Sequence, residues 1–267
     1  MIELKLDLEH TLTCGQVFRF KKTSDGCYTV FSKDKAAYCV QKGEMAVIET
    51  EDEEYFYAYF DGNTDYSEIH NAMACDKTVK KLAEKYKGLR LLKQDLWEMT
   101  MSFIISQNNN IPRIQGIVER LCSGFGEKTK HGYAFPLPES LCDKMPSDLA
   151  DLKCGYRDSY LLDAAKKFAA GEINTELILK GNINDARNEL FKVKGIGPKV
   201  ADCVLLFGAG RMDAFPVDTW MKKALSSVYG ITVQNPSELR AFSEEKFGKF
   251  AGYAQQYLFF GARNGDI

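Results

Sequence analysis

"NELFKVKGIGPKVADCVLLF", residues 188–207, reads as two apolar-faced helices joined by a tight glycine hairpin. Gly195 and Gly197 permit positive φ and leave backbone N–H groups bare, so those groups can point at a phosphate. Pro198 suits the first position of the second helix, where its missing N–H costs nothing. The N-terminus of that helix adds partial positive charge, so an anion is its natural partner, and Lys192 and Lys194 stand beside it. Taken alone, a Gly-x-Gly turn serves any tight connection between helices.

Lys199 changes the weighting. A lysine in the first turn of a helix sits where the dipole favours anions. The same field favours its neutral amine, the nucleophilic form. A solvated lysine whose stem reaches away from the dipole is the plainer alternative. Nineteen residues on, in "FPVDTWMKKAL", Asp218 is a good N-cap for the helix that begins after it. Held near a nucleophilic amine, the same carboxylate would be the charge-stabilising or acid/base half of a catalytic pair. Spacing along the chain does not establish their distance.

Outward from the hairpin the chain divides in two. Up to about residue 50 it alternates: Ile2, Leu4, Leu6 and Leu8 share a face, and "QVFRF", "CYTVF", "AAYCVQK" and "MAVIET" read as strands, with Asp25-Gly26 as a hairpin turn. "EDEEYFYAYF" and "YSEIHNAMACDKTVKKLAEKY" read as helices, with Gly88 a C-terminal stop. After Lys93 nearly every segment has helical spacing. The expected fold is α+β: a small antiparallel-sheet domain with helices over residues 1–92, then an all-α domain over 93–267.

Composition narrows the function classes. The net charge is −2, with 13 Lys and Arg against 16 Asp and Glu in residues 1–92 and 22 against 21 in residues 93–267. Any nucleic-acid surface must therefore be a local basic patch. No run is long enough to span a membrane, and the first residues are too polar for a signal peptide. The eight cysteines form no C-x-x-C pair, and the last is Cys203, which disfavours a zinc ribbon and suits a reducing cytoplasm.

Hairpin, lysine, "PVD" and flanking helices together resemble the helix-hairpin-helix DNA glycosylase superfamily, named for the hairpin, a Gly/Pro-rich loop and the aspartate. Four further stretches, "CGQVFRF", "SQNNNIPRI", "CGYRDSYL" and "AGYAQQYLFF", resemble the 8-oxoguanine DNA glycosylase/AP lyase family, in order, from residue 14 to residue 260. The resemblance implies roles at the matching positions. Lys199 would attack C1′ of the damaged nucleotide and form a Schiff base, and β-elimination would nick the strand. Asp218 would stabilise charge on the sugar. Cys203 and Phe259 would sandwich the extruded base, whose Watson–Crick edge Gln255 would read. The Gly15 carbonyl would accept from N7–H, a donor that 8-oxoguanine has and guanine lacks, for roughly 1–3 kcal/mol of discrimination. Asn108, Arg113 and Arg157 would hold the orphaned cytosine, Tyr156 would fill the stack, and Gly195 and Gly197 would meet the DNA backbone.

The expected partner is duplex DNA carrying 8-oxoguanine opposite cytosine, met by a prokaryotic, cytoplasmic, nucleoid-associated monomer. No cofactor is expected. The iron–sulfur branch of the superfamily places cysteines after the catalytic region, where this chain has none. A monovalent cation on the carbonyls of Phe191, Val193 and Ile196 is compatible with the hairpin. Trp220 departs from the histidine of better-known eukaryotic members, and Pro112 and Pro198 replace other residues of many relatives. Two alternatives compete: a monofunctional alkylpurine glycosylase, which would not need Lys199, and a non-catalytic hairpin module that grips DNA.

Overall fold

The computed structural model describes residues 1–232 and 236–267. Five strands, β1 (Ile2–Lys5), β2 (Phe20–Ser24), β3 (Cys27–Ser32), β4 (Lys35–Lys42) and β5 (Met45–Thr50), form one antiparallel sheet in the order β1-β5-β4-β3-β2. Asp25-Gly26 turns β2 into β3, with Gly26 at φ +67°. Alternate residues face opposite ways, so Ala37 and Cys39 of β4 are buried while Tyr38 and Val40 are exposed. The buried face packs on Phe56, Tyr59 and Phe60 from the helix Glu53–Tyr59 and its end.

Two local expectations differ from the structure. The alternation over Ile2 to Leu8 stops at Lys5, because Asp7 caps a short helix, Leu8–Thr13, by accepting from the His10 N–H at 2.7 Å. "QVFRF" enters the sheet only at Phe20. Gln16 is instead a buried cross-brace: its amide donates to the carbonyls of Thr11 (2.9 Å) and Arg90 (2.8 Å), and its Oε1 accepts from the Leu92 N–H (2.9 Å). Those bonds replace a strand ladder for this stretch.

The remaining chain is mostly helical, with a two-stranded ribbon, Lys128–Thr129 with Gly132–Tyr133, interrupting the expected all-α run. The hydrophobic cores interleave in sequence. Helices Tyr66–Met73 and Lys77–Lys85 precede the long helical stretch, yet Ile69, Met73, Val79 and Leu82 belong to its core. The last helix, Ala251–Asn264, is buried along nearly its whole length. Gly261 of that helix faces Leu82: an added Cβ would lie 2.6 Å from Leu82 Cδ2.

A buried ion pair ties the sheet to the helices. Arg19, just before β2, reaches Glu98 of the helix Leu96–Ser106 at 3.3 Å, and both side chains are under a tenth exposed. Glu98 also accepts from the Lys33 N–H at 3.0 Å. Burial pushes the Glu98 carboxyl up, while the Arg19 guanidinium opposes that shift. Removing one partner of such a pair leaves an uncompensated charge, so Glu98→Ala should cost about 3–5 kcal/mol in urea unfolding. Lys21→Ala, which breaks an exposed pair with Glu119, should stay within about 1 kcal/mol. Equal losses would remove the brace from this account.

Candidate active site

The hairpin forms as expected, from the helix Ile183–Phe191 through a turn to the helix Pro198–Gly208. Gly195 lies at φ +83°, and an added Cβ would sit 2.2 Å from the Tyr160 ring, so conformation and space both require glycine. Gly197 differs from expectation, with φ −100° in ordinary extended backbone. A Cβ there would meet nothing within 4 Å, so this glycine leaves open space in front of the helix N-terminus. Asp163 fixes the turn from outside, accepting from the Lys194 N–H at 2.7 Å and the Lys167 ammonium at 2.9 Å.

Lys199 is the second residue of the hairpin's second helix, and its ammonium lies 5.7 Å from the Phe103 ring centre. One turn on, Cys203 is buried, and burial pushes its thiol up to about 11 while Lys199 pulls the other way. Asp218 also acts on that thiol, so amine, carboxylate and thiol share one electrostatic neighbourhood. Asp218 caps the helix Thr219–Tyr229, accepting from the Met221 N–H at 2.9 Å. One carboxylate thus both caps a helix and lines the same pocket as Lys199.

These residues line a pocket of about 450 Å³ together with Gly15, Gln255 and Phe259. Gly15 comes from the sheet domain, at φ +91°, and a Cβ there would be 3.2 Å from Phe259 Cε1. Gln255 is 3% exposed, and its amide donates to the Pro216 carbonyl at 3.2 Å, which ties the "PVD" segment to the last helix. Its Oε1 is buried without a hydrogen-bond partner, and so is Nη1 of Arg263, which borders the same pocket. Such buried atoms are costly unless something else satisfies them.

A second groove of about 600 Å³ runs beside the pocket, between the hairpin and the asparagine-rich turn, and shares Lys199, Asp218 and Trp220 with it. Trp220 is 38% exposed, with the Lys223 ammonium 4.6 Å from its ring centre. Positive charge is therefore present where the tryptophan supplies none. With Lys199 and Lys222 it makes a local basic surface on a chain of near-neutral charge.

The residues expected at the orphaned cytosine divide. Asn108 is exposed in a left-handed conformation, φ +46°, and Arg113 is exposed in the first turn of the helix capped by Asn110. Tyr156 is 53% exposed and packs edge-on against Tyr160. Arg157 is 3% exposed and donates to the carbonyls of Cys154 (2.9 Å), Asn108 (3.1 Å) and Gln107 (3.1 Å from Nε). Here it holds the turn that presents Asn108; reaching a base would require exchanging those carbonyls. The carbonyl of Val193 accepts from the Ile196 N–H at 3.1 Å within the hairpin. Phe191 ends the first hairpin helix and is 39% exposed.

Sequence reasoning missed Gln256 and Arg263. Gln256 donates to the Cys14 carbonyl at 3.0 Å and Arg263 to the Thr13 carbonyl at 2.5 Å. Their partners lie 242 and 250 residues away, and the available signal was their i, i+7 spacing on the helix face that carries Phe259.

Known families bear on this arrangement. The model of the 8-oxoguanine DNA glycosylase N-terminal domain matches residues 1–100, and that of the HhH-GPD superfamily base excision DNA repair protein matches residues 101–249. A probable N-glycosylase/DNA lyase of Methanothermobacter thermautotrophicus is 31% identical over 72% of this chain and 69% of its own length. The N-glycosylase/DNA lyase of Saccharomyces cerevisiae is 32% identical over 69% of this chain, which spans 59% of that protein. The fold superposes with TM-score 0.92 on a Clostridium acetobutylicum 8-oxoguanine glycosylase/lyase in complex with double-stranded DNA containing cytosine opposite 8-oxoguanine. That protein is 37% identical, over 98% of this chain and 93% of its own.

A buried thiol pushed to about 11 stays protonated and inert, so iodoacetamide at pH 8 should label exposed Cys75 and leave Cys203 unlabelled by peptide mass spectrometry. Labelling of both at one rate would mean that Cys203 is an exposed thiolate.

Proposed function

This chain belongs to the HhH-GPD superfamily of base excision DNA repair proteins and carries its 8-oxoguanine DNA glycosylase N-terminal domain, and we propose that it excises 8-oxoguanine opposite cytosine from duplex DNA and nicks the strand. The observation that carries the reading is the pocket. It gathers a lysine, a carboxylate and the unpartnered Gln255 Oε1 around a space fit for one base. An unpaired acceptor suits the N1–H and N2–H donors of a guanine-type Watson–Crick edge. The Gln255 amide is already given to Pro216, so it is the oxygen that remains.

In the reaction, Lys199 in its neutral form attacks C1′, a C1′–Nζ bond forms, and the C1′–N9 bond breaks with its electrons going to the departing base, which takes up a proton. The Asp218 carboxylate faces the positive charge that grows on the sugar. The bound nitrogen gives up one proton, the C1′–O4′ bond breaks with O4′ taking a proton, and the open sugar is left as a protonated imine. Removal of a C2′ proton then expels the 3′ phosphate oxygen, which is the nick. Cys203 and Phe259 stack on the two faces of the base, and the Gly15 carbonyl accepts from its N7–H.

Asn108 and Arg113 face the orphaned cytosine, Arg157 joins them by exchanging the carbonyls it now holds, and Tyr156 fills the vacated stack. The hairpin, through Gly195 and Gly197, holds the phosphates. The carbonyls of Phe191, Val193 and Ile196 would hold a monovalent cation there; neutral oxygens without a carboxylate suit one positive charge and would add to the attraction for DNA.

The test is borohydride trapping on a duplex with a single 8-oxoguanine opposite cytosine. A covalent protein–DNA band should form, vanish in Lys199→Gln, and be absent with plain guanine. Base release without a band would turn the reading to a monofunctional glycosylase centred on Asp218; neither band nor base would leave a DNA-binding module. Asp218→Asn separates the two duties of that side chain. Asparagine caps as well as aspartate, so stability should hold within about 0.5 kcal/mol. Base excision should fall by about 10²–10³-fold. A large loss of stability with unchanged excision would leave Asp218 as a cap alone.

A further inference from the structure

The Gly15 carbonyl belongs to a short irregular segment between the helix Leu8–Thr13 and β2, and glycine at φ +91° has wide conformational freedom. A carbonyl discriminates N7–H from a lone pair only if its direction is fixed, because a small rotation turns repulsion back into a tolerable contact. Something other than Gly15 must therefore set that direction.

The last helix fixes the chain that leads into Gly15, while Gln94, donating to the Gln16 carbonyl at 2.9 Å, holds the chain that leads away. Gln256, 1% exposed, donates to the carbonyl of Cys14 at 3.0 Å. Arg263, two helical turns further on the same face, donates to the carbonyl of Thr13 at 2.5 Å. The two peptide units that lead into Gly15 are thus both held from one helix. That helix also carries Gln255 and Phe259. Arg263 closes the space as well: its Nη1 would stand 3.2 Å from a Gly15 Cβ, beside the Phe259 ring edge at the same distance.

Resting on the proposed reaction, we infer that Gln256 and Arg263 are positioning residues for lesion recognition. They set the Gly15 carbonyl from the helix that reads the opposite edge of the base through Gln255, so both edges are measured from one rigid element.

Two substrates separate this role from a general structural one. A duplex carrying 8-oxoguanine needs the base pocket, whereas a duplex with a preformed abasic site needs Lys199 and Asp218 but presents no base. Gln256→Leu and Arg263→Met should each slow single-turnover excision of 8-oxoguanine about tenfold or more, the effect of one lost buried hydrogen bond. Cleavage at the abasic site should stay within about twofold in Gln256→Leu, whose side chain carries no charge, and should fall less than excision does in Arg263→Met, because the Arg263 charge also acts on Asp218. Arg263→Lys, which keeps one donor, should recover part of the loss. In a Lys199→Gln background both changes should narrow the preference for 8-oxoguanine over guanine in DNA binding. Parallel loss of both reactions, or no loss of either, would overturn the inference. A wild-type protein that releases no base at all would instead overturn the proposed function itself.

Discussion

The last helix holds, by side-chain hydrogen bonds, the two chain segments that lead to Asp218 and to Gly15. It is buried almost end to end, and three of its polar side chains bond to pocket segments: Gln255 to the Pro216 carbonyl, Gln256 to that of Cys14 and Arg263 to that of Thr13. The first bond fixes the segment that leads to Asp218. The other two fix the segment that leads to Gly15. A helix is stiff over its 14 residues, so a shift at one contact is transmitted to the others. Pocket geometry is thereby a property of one element rather than of two domains that happen to meet.

The chemistry follows from how two helix N-termini are used. One, at Pro198, presents bare backbone next to open space and carries Lys199 in its first turn. The other is capped by Asp218, whose carboxylate satisfies the Met221 N–H and still lines the pocket. An anion-attracting end and an anion-bearing end thus face one cavity, which suits a DNA strand whose phosphates approach while its sugar becomes positively charged. The buried Cys203 between them stays a thiol and offers an uncharged, polarisable face for a base.

Much of this was legible in the sequence because it is local. The hairpin, its proline at the first helical position, the Asp218 cap and the glycine turn at Gly26 each follow from a few adjacent residues and their backbone preferences. What was not legible depends on distant partners. Gln16 reads as a strand residue until its amide is seen to reach the Arg90 carbonyl, 74 residues away. Arg157 reads as a contact to the orphaned cytosine, and its second duty, bracing the turn that carries Asn108, shows only in the fold. Gln256 is a plain helix residue until its partner at Cys14 is placed. Long-range hydrogen bonds have no local signature, and these residues are defined by them.

The most direct measurement is a crystal structure of the Lys199→Gln protein with a duplex carrying one 8-oxoguanine opposite cytosine. The lesion should lie out of the helix, between Cys203 and Phe259, with N7 within hydrogen-bonding distance of the Gly15 carbonyl and the Gln255 side chain on its other edge. A lesion left in the duplex stack, or one seated with its N7 edge turned away from Gly15, would contradict it.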